Sequence, residues 1–138
     1  MINRFLLSFV LMFSGCALSH TGSGVRGSLA PGQSVQIVAT SDDHDPGIKN
    51  AISSELAQRS IGTVEQKAQG ALSLTYYDDW KWDLVMYLWT LDLKLSDATG
   101  RPLATANFHH KGLHSFPNNR LVVKTLFEKW DEAGVFKR

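Results

Sequence analysis

The sequence predicts an α+β two-layer sandwich: a mainly antiparallel sheet of four to five strands with two helices packed on one face. Three observations carry that prediction. Leu84 to Ser96 alternates with period two over a length no other stretch matches. Two segments, one opening at Asp45-Pro46 and one near Asn118, repeat apolar residues at helical spacing. A turn signal, "DATG" at Asp97 to Gly100, lies between two strand-like runs and predicts a hairpin.

The elements follow in order. Ser34 to Thr40, "SVQIVAT", places Val35, Ile37 and Ala39 on one side of a strand. "SDDHDPG" interrupts it. Asp45 followed by Pro46 is a helix start, since an Asp side chain caps free N–H groups and Pro suits the first helical position. Ile48, Ala51, Ile52 and Leu56 then share a stripe, with Glu55 and Arg59 paired four apart on the solvent side and the end near Gln58 to Ser60. Ile61 to Lys67 reads as a weak strand. Gly70 to Tyr77 is a stronger one, with Leu72, Leu74 and Tyr76 on one face, and "DDWKWD" follows as a loop or strand start.

In Leu84 to Ser96, Val85, Tyr87, Trp89, Leu91, Leu93 and Leu95 share a face, which assigns Trp89 to the core. The opposite face ends in Asp92 and Lys94, as in a sheet covered on one side only. Arg101 to His110 is the hairpin partner. Lys111 to Asn119 is a loop, Asn118 or Asn119 caps the last helix, and Gly134 ends it.

The 138 residues suit one folded domain. Fourteen basic against 13 acidic residues, with no basic patch, argue against a nucleic-acid partner. The N-terminus is distinctive. Arg4 precedes the apolar run Phe5 to Phe13, "FLLSFVLMF", which is too short to span a bilayer and matches a secretory h-region. Ser14, Gly15 and Cys16 follow, and Cys16 is the single cysteine.

"FSGC" resembles the bacterial lipoprotein box, in which the cysteine is diacylated on sulfur, becomes residue one after cleavage and is usually then N-acylated. Phe13 stands where that pattern prefers an aliphatic residue. An ordinary cleaved signal with a chance cysteine is the competing reading. The resemblance implies a signal peptide over 1–15, an acylated Cys16, and, from Ala17 in place of Asp, sorting to the outer membrane of a Gram-negative bacterium. Two or more acyl chains hold a protein stably at a bilayer where one holds only marginally. Ala17 to Gln33 is rich in Gly, Ser and Pro and reads as a tether over 16–33, leaving 34–138 as a single periplasmic domain.

Tyr76, Trp80, Trp82, Asp83, Asp97, Thr99, Gly100 and Ala104 form a pattern similar to one recurring in small proteobacterial outer-membrane lipoproteins: a tyrosine strand, W-x-W-D, a long apolar strand, a D-x-x-T-G turn and a strand of small residues. The wider architecture resembles that of envelope lipoproteins such as the LPS-assembly lipoprotein LptE. The resemblance implies an accessory role and carries over no catalytic residue.

Candidate sites are few. Trp80 and Trp82 share a face if extended and, with Asp83, are the candidate binding surface; they either cap the core or stack on a glycan, lipid or partner protein. Insertion of the whole strand into lipid would bury Asp92 and Lys94. His109, His110 and His114 lack a Cys or Glu at zinc spacing, and "SDDHDPG" breaks calcium-loop spacing, with Ser53 where a Glu is needed. No metal or cofactor is expected. With no G-x-S-x-G motif and a cysteine committed to acylation, no enzyme chemistry is expected either. Two functions compete: a lipid-anchored accessory protein docking on an envelope protein, and a binder of lipid or glycan through Trp80 and Trp82.

Overall fold

A computed structural model describes residues 20–66, 68–112 and 116–137. The predicted signal segment 1–15, Cys16 and His114 lie outside the described residues. The elements are β1 (His20–Val25), β2 (Ser34–Ala39), α1 (Pro46–Gln58), β3 (Gly62–Val64), β4 (Leu72–Asp83), β5 (Val85–Ser96), β6 (Pro102–His109) and α2 (Asn119–Glu132). The class is α+β with two helices packed on the sheet, as predicted.

The sheet itself differs from the expectation. It has six strands in the order β1-β6-β5-β4-β2-β3, and it is mixed. β1, β6, β5 and β4 pair antiparallel, whereas β2 runs parallel to both β4 and β3. The cause is α1. A strand followed by a crossover helix returns in the same direction, so β2 meets its later neighbours in parallel.

The strand β1 is the second correction. The Gly- and Ser-rich composition of this stretch predicts a tether, yet residues 20–25 pair with 104–109 along β6. At Gly22 the Asn107 side chain folds over the space a Cβ would take, its oxygen lying 2.6 Å from that position. Beyond β1 the same stretch sends Leu29 into the core, fully buried. Its N–H donates to the Val135 carbonyl, and its carbonyl accepts from the Lys137 N–H, at 2.8 Å. A polar, glycine-rich composition is also what an edge strand tolerates.

Both helices are capped as predicted. The Asp45 side chain accepts from the Gly47 N–H at 2.7 Å with Pro46 following, and Asn118 accepts from the Leu121 N–H at 3.1 Å. The core joins Leu74, Tyr76, Leu91, Leu93, Leu95, Ala104, Ala106 and Phe108 of the sheet to Ile48, Ile52 and Leu56 of α1 and Val123, Leu126, Phe127 and Trp130 of α2. The small Ala104 and Ala106 lie beneath α2, where the Trp130 indole N–H donates to the Thr105 carbonyl at 3.0 Å.

Glu55 and Arg59 are not on a solvent face. Glu55 is 6% exposed, and Arg59 bridges it at 2.8 Å to Asp131 of α2 at 2.6 Å while lying over the rings of Phe127 and Phe136. The second helix covers the side of α1 that its own sequence leaves polar, and the ion pair becomes the seam between them.

The predicted Asp97 turn forms. Asp97 accepts from the Thr99 hydroxyl at 2.7 Å, the Thr99 N–H at 2.9 Å, the Arg101 N–H at 3.0 Å and the Arg101 Nε at 3.1 Å. The Thr99 hydroxyl bond, opposed by desolvation and helped by the Arg101 and Thr99 N–H groups and the Arg101 side chain, lowers its carboxyl to about 2. A depressed folded value means the turn's contribution to stability is complete above about pH 4, the ordinary carboxylate range, and is lost as pH falls through the folded value. Urea midpoints of wild type and Asp97→Ala should therefore differ at about pH 5 and converge towards about pH 2.

Candidate functional site

The candidate residues lie where β4 and β5 leave the helix layer. Up to Asp78 the inner face of β4 is buried at every second residue: Leu72, Leu74, Tyr76, Asp78. Asp78 is a carboxylate at 3% exposure, and it is fully engaged. One oxygen accepts a short hydrogen bond from the Ser41 hydroxyl. The other accepts from the Asp45 N–H and from the Trp80 indole N–H, both at 2.9 Å. A single acid thus ties the "SDDHDPG" loop, the start of α1 and the Trp80 ring together. Tyr76 lies one step further in, where burial, and then the nearby carboxylates of Asp78 and Asp45, push its phenol upward.

The next step along the hairpin is irregular. Asp79 pairs with Thr90, but Trp80 pairs with Leu88, which leaves Trp89 as an extra residue on β5. A bulge shifts the alternation by one and bends the strand. Its effect here corrects the assignment of Trp89 to the core: Leu88 is fully buried instead, and Trp89 is half-buried. The Trp89 ring lies edge-on to His109 at 5.1 Å and to His110 at 5.9 Å, and its carbonyl accepts from the His110 N–H. His110 is itself buried between Trp89 and Tyr87. Among the described residues no cluster of His, Cys, Asp or Glu is arranged to hold a metal ion.

Trp80 and Trp82 share a side of β4, but their surroundings separate them. Trp80 packs partly against the core and lines two shallow grooves of about 390 and 410 Å³. The first is walled by the loop residues Ser41, Asp42 and Asp43, and the second by Tyr87, Phe116 and the start of α2. Trp82 is 71% exposed. Asp83, half-buried, precedes Leu84 at the hairpin tip. The structure therefore divides the candidate corner into a groove wall, Trp80, and a projecting ring, Trp82.

Leu84 is a feature that residue type alone does not disclose. It turns the hairpin with φ of 63° and is 85% exposed. The left-handed region costs a non-glycine residue about 1 kcal/mol or more, and a bulky apolar side chain has no local compensation there.

No protein-family model and no curated protein sequence matches the chain. Solved structures do share its fold. Two crystal forms of PelC from Paraburkholderia phytofirmans, each a dodecamer, superpose with TM-scores of 0.60 and 0.58 at 14% identity, covering 88% of this chain and 100% of theirs. A minor lipoprotein from Acinetobacter baumannii aligns over 75% of this chain and 90% of its own at 11% identity, with a TM-score of 0.42. The PelC likeness shows the fold alone, and the fainter one carries no argument.

Replacing Asp78 by Ala should cost about 1–3 kcal/mol in chemical denaturation, because it strips partners from the part-buried Asp45 N–H and Trp80 indole N–H. The same variant should red-shift tryptophan emission as Trp80 is released. An unchanged unfolding midpoint would show that the Asp78 hub does not hold the loop.

Proposed function

We propose that this chain is a lipid-anchored, non-enzymatic accessory protein of the bacterial cell envelope, held at the periplasmic face of the outer membrane by acyl chains on Cys16 and docking there on an envelope protein. The observation that carries the reading is Cys16 directly after an apolar run and small residues, four positions before β1 begins at His20. With acyl chains at that position the folded domain would follow its anchor with almost no spacer.

Two features support docking. β1 is an edge of the sheet and carries neither a charge nor a proline, the usual protections of an exposed edge, while β3 at the other edge is only three residues long. An extended segment of a partner could add to β1 as a further strand. The Trp80, Trp82 and Asp83 corner offers a second contact. A non-enzymatic role agrees with the buried acid of this corner, Asp78, being committed to three structural donors.

A second reading is kept by one observation: the Trp80 ring lines both grooves, so a lipid or glycan could stack there. It requires a ligand-induced change in tryptophan emission that Trp80→Phe removes.

The anchor is tested by membrane fractionation and by the mass of the mature N-terminus. Wild type should partition with outer membranes and carry acyl chains on Cys16. Cys16→Ala should lose the modification, and its retention in the membrane at wild-type levels would defeat the anchor. In detergent extracts, Ser23→Lys on the β1 edge should reduce partner recovery if strand addition is the docking mode.

A further inference from the structure

The geometry points to the β4–β5 hairpin tip as a second, direct contact with the lipid surface, resting on the reading that Cys16 is acylated. Trp82, Leu84, Val85, Met86, Phe116 and Leu121 are six of the eight exposed large hydrophobic residues among those described. The first four form the β4–β5 tip, Phe116 shares a groove with Met86, and Leu121 lies in the first turn of α2, whose start walls that groove. Scattered exposed apolar residues need no explanation, but a contiguous group does.

The topology says what covers this end. The strand register places His20, His109, Thr90 and Asp79 in one row across the sheet. Beyond that row the β4–β5 hairpin is the only strand pair of the sheet that continues among the described residues, from Trp80 to Asp83 and back from Val85 to Trp89, which at strand spacing is a projection of about 15 Å. Cys16 lies four residues before His20, and four residues of chain reach at most about 14 Å. The chain therefore leaves β1 at the same end as the apolar tip, and an anchor at Cys16 and the ring of Trp82 can meet one plane. That plane is a bilayer surface.

The chemistry of the tip suits shallow contact. Tryptophan favours the headgroup level, where its ring is covered and its N–H stays wet. Asp83 stands between Trp82 and Leu84, and a carboxylate excludes deeper insertion. Leu84 keeps a large apolar side chain at a position whose backbone suits Gly or Asn, so it is the residue with the least structural reason to be there.

The test uses the full acylated chain on vesicles of phosphatidylethanolamine and phosphatidylglycerol with ordinary or brominated acyl chains. Brominated lipid should quench a component of tryptophan emission that Trp82→Phe removes. Leu84→Asn should reduce that quenching by about half or more while its melting midpoint stays equal or rises, because Asn tolerates the left-handed backbone. Protein that floats with the vesicles yet shows the same emission in both lipids overturns the tip contact and leaves the anchor standing. If flotation fails and the N-terminal mass shows a free Cys16 thiol, the anchor reading is lost on its own. Excess vesicles added to that soluble form then decide the tip: Trp82-dependent quenching supports it and no quenching overturns it. Self-association that Leu84→Asn abolishes, without quenching, would assign the tip to a second copy and also overturn it.

Discussion

A mismatch of lengths governs this molecule. The 13- and 14-residue helices extend about 20 Å each, whereas the 12-residue strands β4 and β5 extend about 40 Å. One helix layer cannot cover such strands. Their inner face is therefore core from Leu72 to Asp78 on β4 and back to Leu88 on β5, then half-covered at Trp80 and bare at Trp82 and Met86. The place where cover ends is also where Asp78, the Trp89 bulge and the two tryptophans of the W-x-W-D segment fall. Core and candidate site are two parts of one hairpin, separated by the reach of the helices.

Two polar hubs hold the covered part in register. Arg59 locks α1 to α2 through Glu55 and Asp131, with Phe127 and Phe136 beneath its guanidinium. Asp78 fastens the β2–α1 loop to β4 and sets the Trp80 ring. Both are charges taken from water with their partners supplied, the condition under which burying a charge is tolerable. The Asp78 hub joins the loop, the start of α1 and Trp80 in one bonded network, and Trp82 and Leu84 lie outside it.

Much of this was legible in the residues. Period two in β4, β5 and β6, the Asp45-Pro46 and Asn118 caps, and the Asp97 turn each arise from local chemistry, so each can be read locally. What could not be read depends on distant partners. The parallel pairing of β2 follows from a crossover whose return point no short window contains. The strand β1 looks like a linker because Gly22 and Gly24 answer to Asn107 and Thr105 rather than to their own neighbours. Trp89 obeys the alternation in sequence and is turned aside by a bulge whose cause lies in the pairing with β4. Glu55 and Arg59 look solvent-facing until Asp131, over seventy positions on, covers them. Aromatic density is a local signal, so the corner can be named as a candidate from its residues, whereas its division into two environments depends on the edge of the helix layer, which no local signal reports.

The clasp between Leu29 and Phe136 has a consequence for the order of folding. These residues form a parallel bridge across almost the whole described chain, and the Leu29 side chain is sealed only when the Val135–Lys137 segment lies beside it. β1 can pair with β6 without that segment, but Leu29 gains its backbone partners only when residues 135–137 lie beside it. A contact that closes a loop of more than a hundred residues costs chain entropy before it returns any packing, so its formation is expected late in folding.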